Sequence, residues 1–242
     1  KDPARLAEQV RWRLQRMPDW QPWQSLLTDW LVRLLTQPLL LDAGGRGRAP
    51  ESTLDAPVDA GHAPSDGGSC FTLAGLRQYQ VEMSFMLAVQ DIDLPALDAW
   101  VRQHTFSGAA RPPLLPGQLN GMLKGFIDLV FEHEGRFYVL DYKSNWLGAS
   151  DEAYRDETMQ AAVLAHRYEL QYLFYLLALH RLLKVRLPDY DYDRHVGGAL
   201  YLFLRGSGAP SRGVFAARPP RAVIEALDAA FAGQRPLGAD KP

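Results

Sequence analysis

Two short runs of strand-forming, mostly apolar residues, Leu123 to Phe131 and Phe137 to Tyr142, are joined by Glu132-His133-Glu134-Gly135-Arg136. So short a connection predicts a β-hairpin at the centre of the chain. With Glu134-Gly135 as a two-residue loop, Gly supplying the position of positive φ, the register sets Asp128 opposite Asp141. Their Cβ atoms would lie about 4.5–5.5 Å apart on one face. Lys143, two residues beyond Asp141, falls on that face too because side chains alternate along a strand.

Two acids and a lysine within apolar strands demand compensation. Facing like charges repel, and a desolvated carboxylate pair resists double ionisation. A divalent cation removes the conflict, and Mg²⁺ suits one or two carboxylates with waters and phosphate oxygens. That arrangement fits phosphodiester hydrolysis, in which a metal provides the nucleophile and charge relief. Lys143 would orient the attacking water or stabilise the scissile phosphate. A D-x-K triplet alone is also satisfied by a structural ion pair, so the opposed Asp128 is what favours chemistry.

Around the hairpin, helical spacing appears from Arg5 to Met17 (Leu6, Val10, Leu14) and from Trp23 to Leu35 (Leu27, Trp30, Leu31, Leu34). The stretch 42–70, rich in Gly, Ala, Pro, Asp and Ser, is read as a flexible insertion. Tyr79 to Val89 alternates as a strand, with Glu82 on its polar face. Leu94 to Gln103 is a short helix. One long helix is expected from Ala153 or Asp156 to Leu187, stopped by Pro188. A strand follows over Gly198 to Leu204, then a helix from Pro220 to Ala232 ended by Gly233. Strands and helices without regular βαβ alternation predict an α/β or α+β domain, a central mixed sheet flanked by helices.

Composition narrows the chemistry. The chain has a net charge of -2, so DNA contact would need a local patch. Two candidate patches are Arg181, Lys184 and Arg186, and Arg205, Arg212, Arg218 and Arg221. One cysteine, Cys70, excludes an internal disulfide and a four-thiolate iron–sulfur cluster and fits a reducing cytoplasm. No apolar run approaches the ~18 residues of a membrane span, and no P-loop motif offers an ATP site. The chain starts at Lys1 and enters an amphipathic pattern at once, as expected of a piece of a longer protein.

Four blocks in order carry a resemblance: G-F-I-D-L-V-F (125–131), L-D-Y-K-S-N-W-L-G (140–148), H-R-Y-E-L-Q-Y-L-F-Y-L-L-A-L-H-R (166–181) and G-G-A-L-Y-L-F-L-R-G (197–206). The chain closely resembles the C-terminal nuclease domains of the bacterial RecB family. The resemblance implies a PD-(D/E)xK nuclease with a restriction-endonuclease-like core, Mg²⁺ as cofactor with Mn²⁺ a possible substitute, and Asp128, Asp141 and Lys143 as catalytic residues. It implies the Tyr142 carbonyl as a metal ligand beside Asp128 and Asp141. Gln171 and Tyr175 match a Q-x-x-x-Y motif whose i, i+4 spacing puts both on one helix face to hold DNA. Glu82 is a possible accessory acid, although an exposed strand carboxylate is the commoner explanation.

The implied partners are DNA, in the form of single strands from unwound ends, the RecC and RecD subunits, and RecA, with no membrane. The implied organisation is one nuclease domain over 1–242, with helices in 1–41, the insertion 42–70, the core 71–206, and a C-terminal helix and tail in 207–242. The family's metal-binding His, in a G-x-x-x-H segment, would precede Lys1. His62 and His104 lack that context, and His133, His166, His180 and His195 are read as ordinary turn, helix or strand-edge residues. A competing reading is a catalytically dead docking module for partner proteins or DNA. Intact Asp128, Asp141, Lys143, Gln171 and Tyr175 argue against it.

Overall fold

The computed structural model describes residues 2–41 and 69–237. The central hairpin forms as its loop predicts. Strand β4 (Gln118–His133) pairs antiparallel with β5 (Arg136–Lys143) from His133↔Arg136 to Leu129↔Leu140. Glu134 and Gly135 have φ of 51° and 75°, the double left-handed geometry of a type I′ turn. Glu134 lacks the side chain that tolerates this region, so Glu134→Asn should stabilise the chain by about 0.5–1 kcal/mol. Urea denaturation reads the gain; unchanged stability would mean the turn carries no strain.

The hairpin is the middle of a five-stranded mixed sheet. Its order is β3 (Tyr79–Asp93), β4, β5, β6 (Val196–Phe203) and β7 (Val214–Ala217). Only β5 and β6 run parallel. Parallel neighbours require a crossover, and the helices between them supply it. Those are α4 (Asp156–Ala165), α5 (Tyr168–Arg186) and the single turn α6 (Tyr192–His195). On the same sheet face lie α3 (Leu94–His104), begun by Asp93 accepting from the Ala96 N–H, and α7 (Arg221–Phe231), ended at Gly233 with φ 67°. Val139, Tyr201, Phe203, Leu173, Leu176, Ile224 and Leu227 fill the core between sheet and helices.

The opposite face is covered by the N-terminal part. Helix α1 (Pro3–Leu14), capped by Asp2, packs on α2 (Gln24–Thr36). Leu34, Leu39, Leu41 and Phe71 pack against Leu129, Phe131, Leu140, Leu200 and Leu202. Leu39 and Leu41 belong to β1 (Leu39–Leu41), and Phe71 to its antiparallel partner β2 (Ser69–Phe71).

The structure changes several sequence-based boundaries. Ser69 and Cys70 are strand residues, not insertion; the rest of that segment, 42–68, lies outside the described residues. The sheet and its helices run past 206, because β7 pairs with β6 and α7 contacts β3 and α5. The expected long helix is two helices, parted at His166-Arg167. Arg167 is left-handed at φ 56° and bonds the Glu169 carboxylate and the Pro112 carbonyl while pairing with Asp98 at 2.6 Å. Tertiary ion pairs impose a break that no Gly or Pro announced.

Candidate active site

The β4–β5 ladder stops at Leu129↔Leu140, and the next step of the same register sets Asp128 opposite Asp141. There the strands part. The Tyr142 N–H donates to Asp128 Oδ2 at 2.9 Å instead of to β4 backbone. Asp141 and Lys143, buried at 6% exposure each, stand on the face toward α5 and form an ion pair of 2.7 Å. Such a pair survives burial only when its remaining polar atoms are satisfied.

Helix α5 satisfies them. Gln171 and Tyr175, one turn apart, share the helix face that meets the pair. Gln171 Oε1 accepts from Lys143 Nζ at 2.6 Å, and its Nε2 donates to Tyr175 Oη at 2.7 Å. Tyr175 Oη in turn donates to Asp141 Oδ1 at 3.0 Å, which also lies 3.4 Å from Gln171 Nε2. In this conformation Gln171 and Tyr175 therefore grip the acid and the lysine. Burial, then the charge of Asp141, push the Tyr175 hydroxyl well above its usual range and keep it a donor.

Two aromatics that the sequence did not single out complete the setting. The Lys143 ammonium sits 3.7 Å from the centre of the Tyr168 ring and 4.5 Å from that of Tyr201. Both π faces stabilise positive charge. Tyr168, three residues before Gln171, was within reach of the helical period. Tyr201 lies beside Asp141 only through the parallel register of β5 and β6, which a sequence does not display.

Asp128 differs from Asp141. Its carboxyl is raised above the ordinary carboxylate range by burial first, and further by the charges of Asp141 and Glu82, against the Tyr142 N–H and Lys143. Glu82 is exposed, as its alternation predicted, but the strand is irregular there. With φ 49° it drops out of the β3–β4 ladder between Val81↔Leu129 and Met83↔Ile127. On the facing strand, Ile127 packs with α5 whereas Leu129 packs on the other side of the sheet. A regular strand would put both on one face. The pleat thus breaks at the level of Glu82 and Asp128, the kind of local strain found at working sites.

The remaining candidates lie elsewhere. His133 bonds Ser69, His104 stacks on Trp100, His166 stacks on Tyr168, and His195 bonds the Asp191 backbone. His180, buried against the Tyr190 hydroxyl, has its pKa lowered, mainly by burial; His62 is outside the described residues. Of the proposed basic patches, Arg181 and Lys184 are paired with Asp228. Arg221 is tied to Asp191 and Glu225, and Arg218 to Asp193 and two carbonyls. Arg205 is exposed and bonds the Ser144 carbonyl, next to Lys143. A groove of about 1020 Å³ runs between β3 and the end of α5 and is lined by neither Asp141 nor Lys143.

The donor set suits a divalent cation. Asp128 and Asp141 follow Leu129↔Leu140 in the hairpin register, and the Asp128 carboxyl, raised first by burial, is raised further by the negative charges of Asp141 and Glu82, which a cation would offset. Among the described residues no three His, Cys, Asp or Glu side chains converge as a complete cluster. A cation here would be held by two side chains, with backbone and solvent completing its shell. No helix among the described residues is long and apolar enough to cross a membrane.

A family model for the PD-(D/E)XK nuclease superfamily matches residues 70–236. The RecBCD enzyme subunit RecB of Escherichia coli (strain K12) is 42% identical over 214 residues, 87% of this chain and 16% of that protein. The RecB subunit of Haemophilus influenzae is 43% identical over 174 residues, 70% of this chain and 14% of its own. That of Mycobacterium tuberculosis (strain ATCC 25618 / H37Rv) is 44% identical over 119 residues, 45% of this chain and 11% of its own. The chain thus spans only a small part of the length of these relatives.

Proposed function

Because the chain belongs to the PD-(D/E)XK nuclease superfamily, we propose that Asp128, Asp141 and Lys143 form its metal-dependent centre for hydrolysing DNA phosphodiester bonds. The carrying observation is the Asp141–Lys143 pair, locked by Gln171 and Tyr175 directly across the hairpin from Asp128.

Asp128 and Asp141 would hold the cation, Mg²⁺ with Mn²⁺ as a substitute. The Tyr142 carbonyl is the third ligand in this reading. A strand residue directs its N–H and C=O to the same side, and the Tyr142 N–H already points to Asp128. The bound cation supplies a nucleophile at neutral pH and charge relief at the phosphoryl oxygens. Lys143 spends two of its three N–H groups on Asp141 and Gln171. The third can orient the attacking water or bond the scissile phosphate. Gln171 and Tyr175 position both partners, and Glu82 adds negative charge at the rim.

In the complete protein this domain would be the nuclease of a RecBCD-type helicase–nuclease of exodeoxyribonuclease V type, working in the cytoplasm on linear DNA during double-strand break repair and recombination. The names of the relatives support RecC and RecD as partner subunits. RecA as a further partner follows from the family resemblance alone.

Asp128→Asn tests the metal assignment. The folded chain binds the Asp128 proton more tightly than the unfolded chain does. Metal-free stability therefore falls as pH rises from the ordinary carboxylate range through the raised folded value. The variant removes that penalty, so at pH 8 its metal-free melting temperature should exceed the parent's by about 1–3 °C, the gap closing toward pH 4. Mn²⁺ at about 100 times its Kd should stabilise the parent by about 2.7 kcal/mol and the variant far less. Equal Mn²⁺ stabilisation of the two would remove Asp128 from the metal site.

A further inference from the structure

The segment after Lys143, Ser144 to Ser150, is a loop held far more firmly than connection requires. The buried Tyr154 hydroxyl donates to the Asn145 carbonyl and accepts from the Leu147 N–H, both at 3.3 Å, so it clamps the backbone on either side of Trp146. Tyr168, whose ring lies against the Lys143 ammonium, donates its hydroxyl to Asn145 Oδ1 at 3.3 Å. Leu147 packs into the core, and a Cβ on Gly148 would stand 2.6 Å from that of Ala153. Between these anchors Trp146 is left 68% exposed.

An indole costs free energy in water, yet here its backbone is fixed so that it cannot fold away. Arg205 is tied to the same loop, two residues before Trp146. Its Nε donates to the Ser144 carbonyl at 3.0 Å, and among the described residues its guanidinium has no carboxylate partner, unlike Arg181, Arg218 and Arg221. An exposed aromatic on the loop that follows Lys143, and a guanidinium bonded to that loop without a carboxylate partner among the described residues, match one ligand chemistry. Stacking takes an unpaired base, and the cation takes its phosphate.

We propose that Trp146 and Arg205 form a nucleotide-binding subsite that stacks one base of a single DNA strand and bonds a neighbouring phosphate, feeding the strand to Lys143 and the two aspartates. This subsite rests on the nuclease reading above. A duplex hides its base faces, so the subsite selects unwound strands.

The test is steady-state cleavage by the full-length protein with Mg²⁺, on a single-stranded oligonucleotide and on the same strand with abasic residues flanking the cleaved bond. Trp146→Ala should raise KM on the intact strand about tenfold or more, with kcat within about twofold. Trp146→Phe should stay near the parent. The parent should lose the same factor on the abasic strand, where Trp146→Ala loses nothing further. Arg205→Ala should flatten the dependence of log KM on log salt by about 0.7, the share of one phosphate contact on a single strand. An unchanged KM for Trp146→Ala, an equal loss on both strands, or a loss confined to kcat would each overturn the subsite. A parent protein that cuts neither strand would instead sink the nuclease reading.

Discussion

Asp141→Asn is expected to lower DNA cleavage by about 10³-fold or more, measured on labelled single strands in Mg²⁺. The substitution keeps the side chain's volume and removes its charge, on which both functions of Asp141 depend. A neutral amide is a poor ligand for a hard cation, and it cannot balance the Lys143 ammonium 2.7 Å away. Asp141 also accepts from Tyr175 on its other oxygen, whereas an amide offers a single acceptor atom. In the helicase–nuclease proposed above, the variant should lose cutting by the same factor while DNA unwinding stays at the parent's rate, because this chain carries no P-loop motif. A folded Asp141→Asn protein that cuts normally would exclude Asp141 from the chemistry.

Glu169→Ala should produce the largest loss of stability, about 3–5 kcal/mol by urea denaturation. The Glu169 side chain is fully buried and accepts from Arg167 Nε at 2.6 Å, with Arg111 Nη1 at 3.5 Å. Arg111 is itself buried and donates to the Thr105 side chain and to the Thr105 and Phe106 carbonyls. Arg167 extends the network to Asp98, whose carboxyl burial would raise but which bonds from Arg102 and Arg167 hold below the usual range. Truncating Glu169 leaves the buried Arg111 without a carboxylate and the partly buried Arg167 with Asp98 alone. The effect reaches the site as well, because Arg167 sets the start of α5, four residues before Gln171. A loss below about 1 kcal/mol would mean that the backbone carbonyls alone hold the arginines.

The network also shows why the helix break escaped the sequence. Helix α5 is apolar on nearly every side, so nothing in its period separates it from α4, and the left-handed residue between them is an arginine. Strands β1, β2 and β7 are three or four residues long and exist through their partners. The hairpin was legible for the opposite reason. Its two-residue turn fixes the register, and the register alone aligned Asp128 with Asp141. The i, i+4 spacing brought Gln171 and Tyr175 onto one face, but only the fold showed that they hold Asp141 and Lys143. The broken pleat at Glu82 was hidden because alternation assumes an unbroken strand.

The central claim is that a divalent cation sits between the two aspartates. Diffraction from crystals soaked in Mn²⁺, recorded where manganese scatters anomalously, tests it directly. The expected result is an anomalous peak bonded to the carboxylates of Asp128 and Asp141 and the carbonyl of Tyr142, at about 2.0–2.2 Å, vanishing in Asp128→Asn. A peak elsewhere, or none in crystals of a protein that cuts DNA with Mn²⁺, would contradict it.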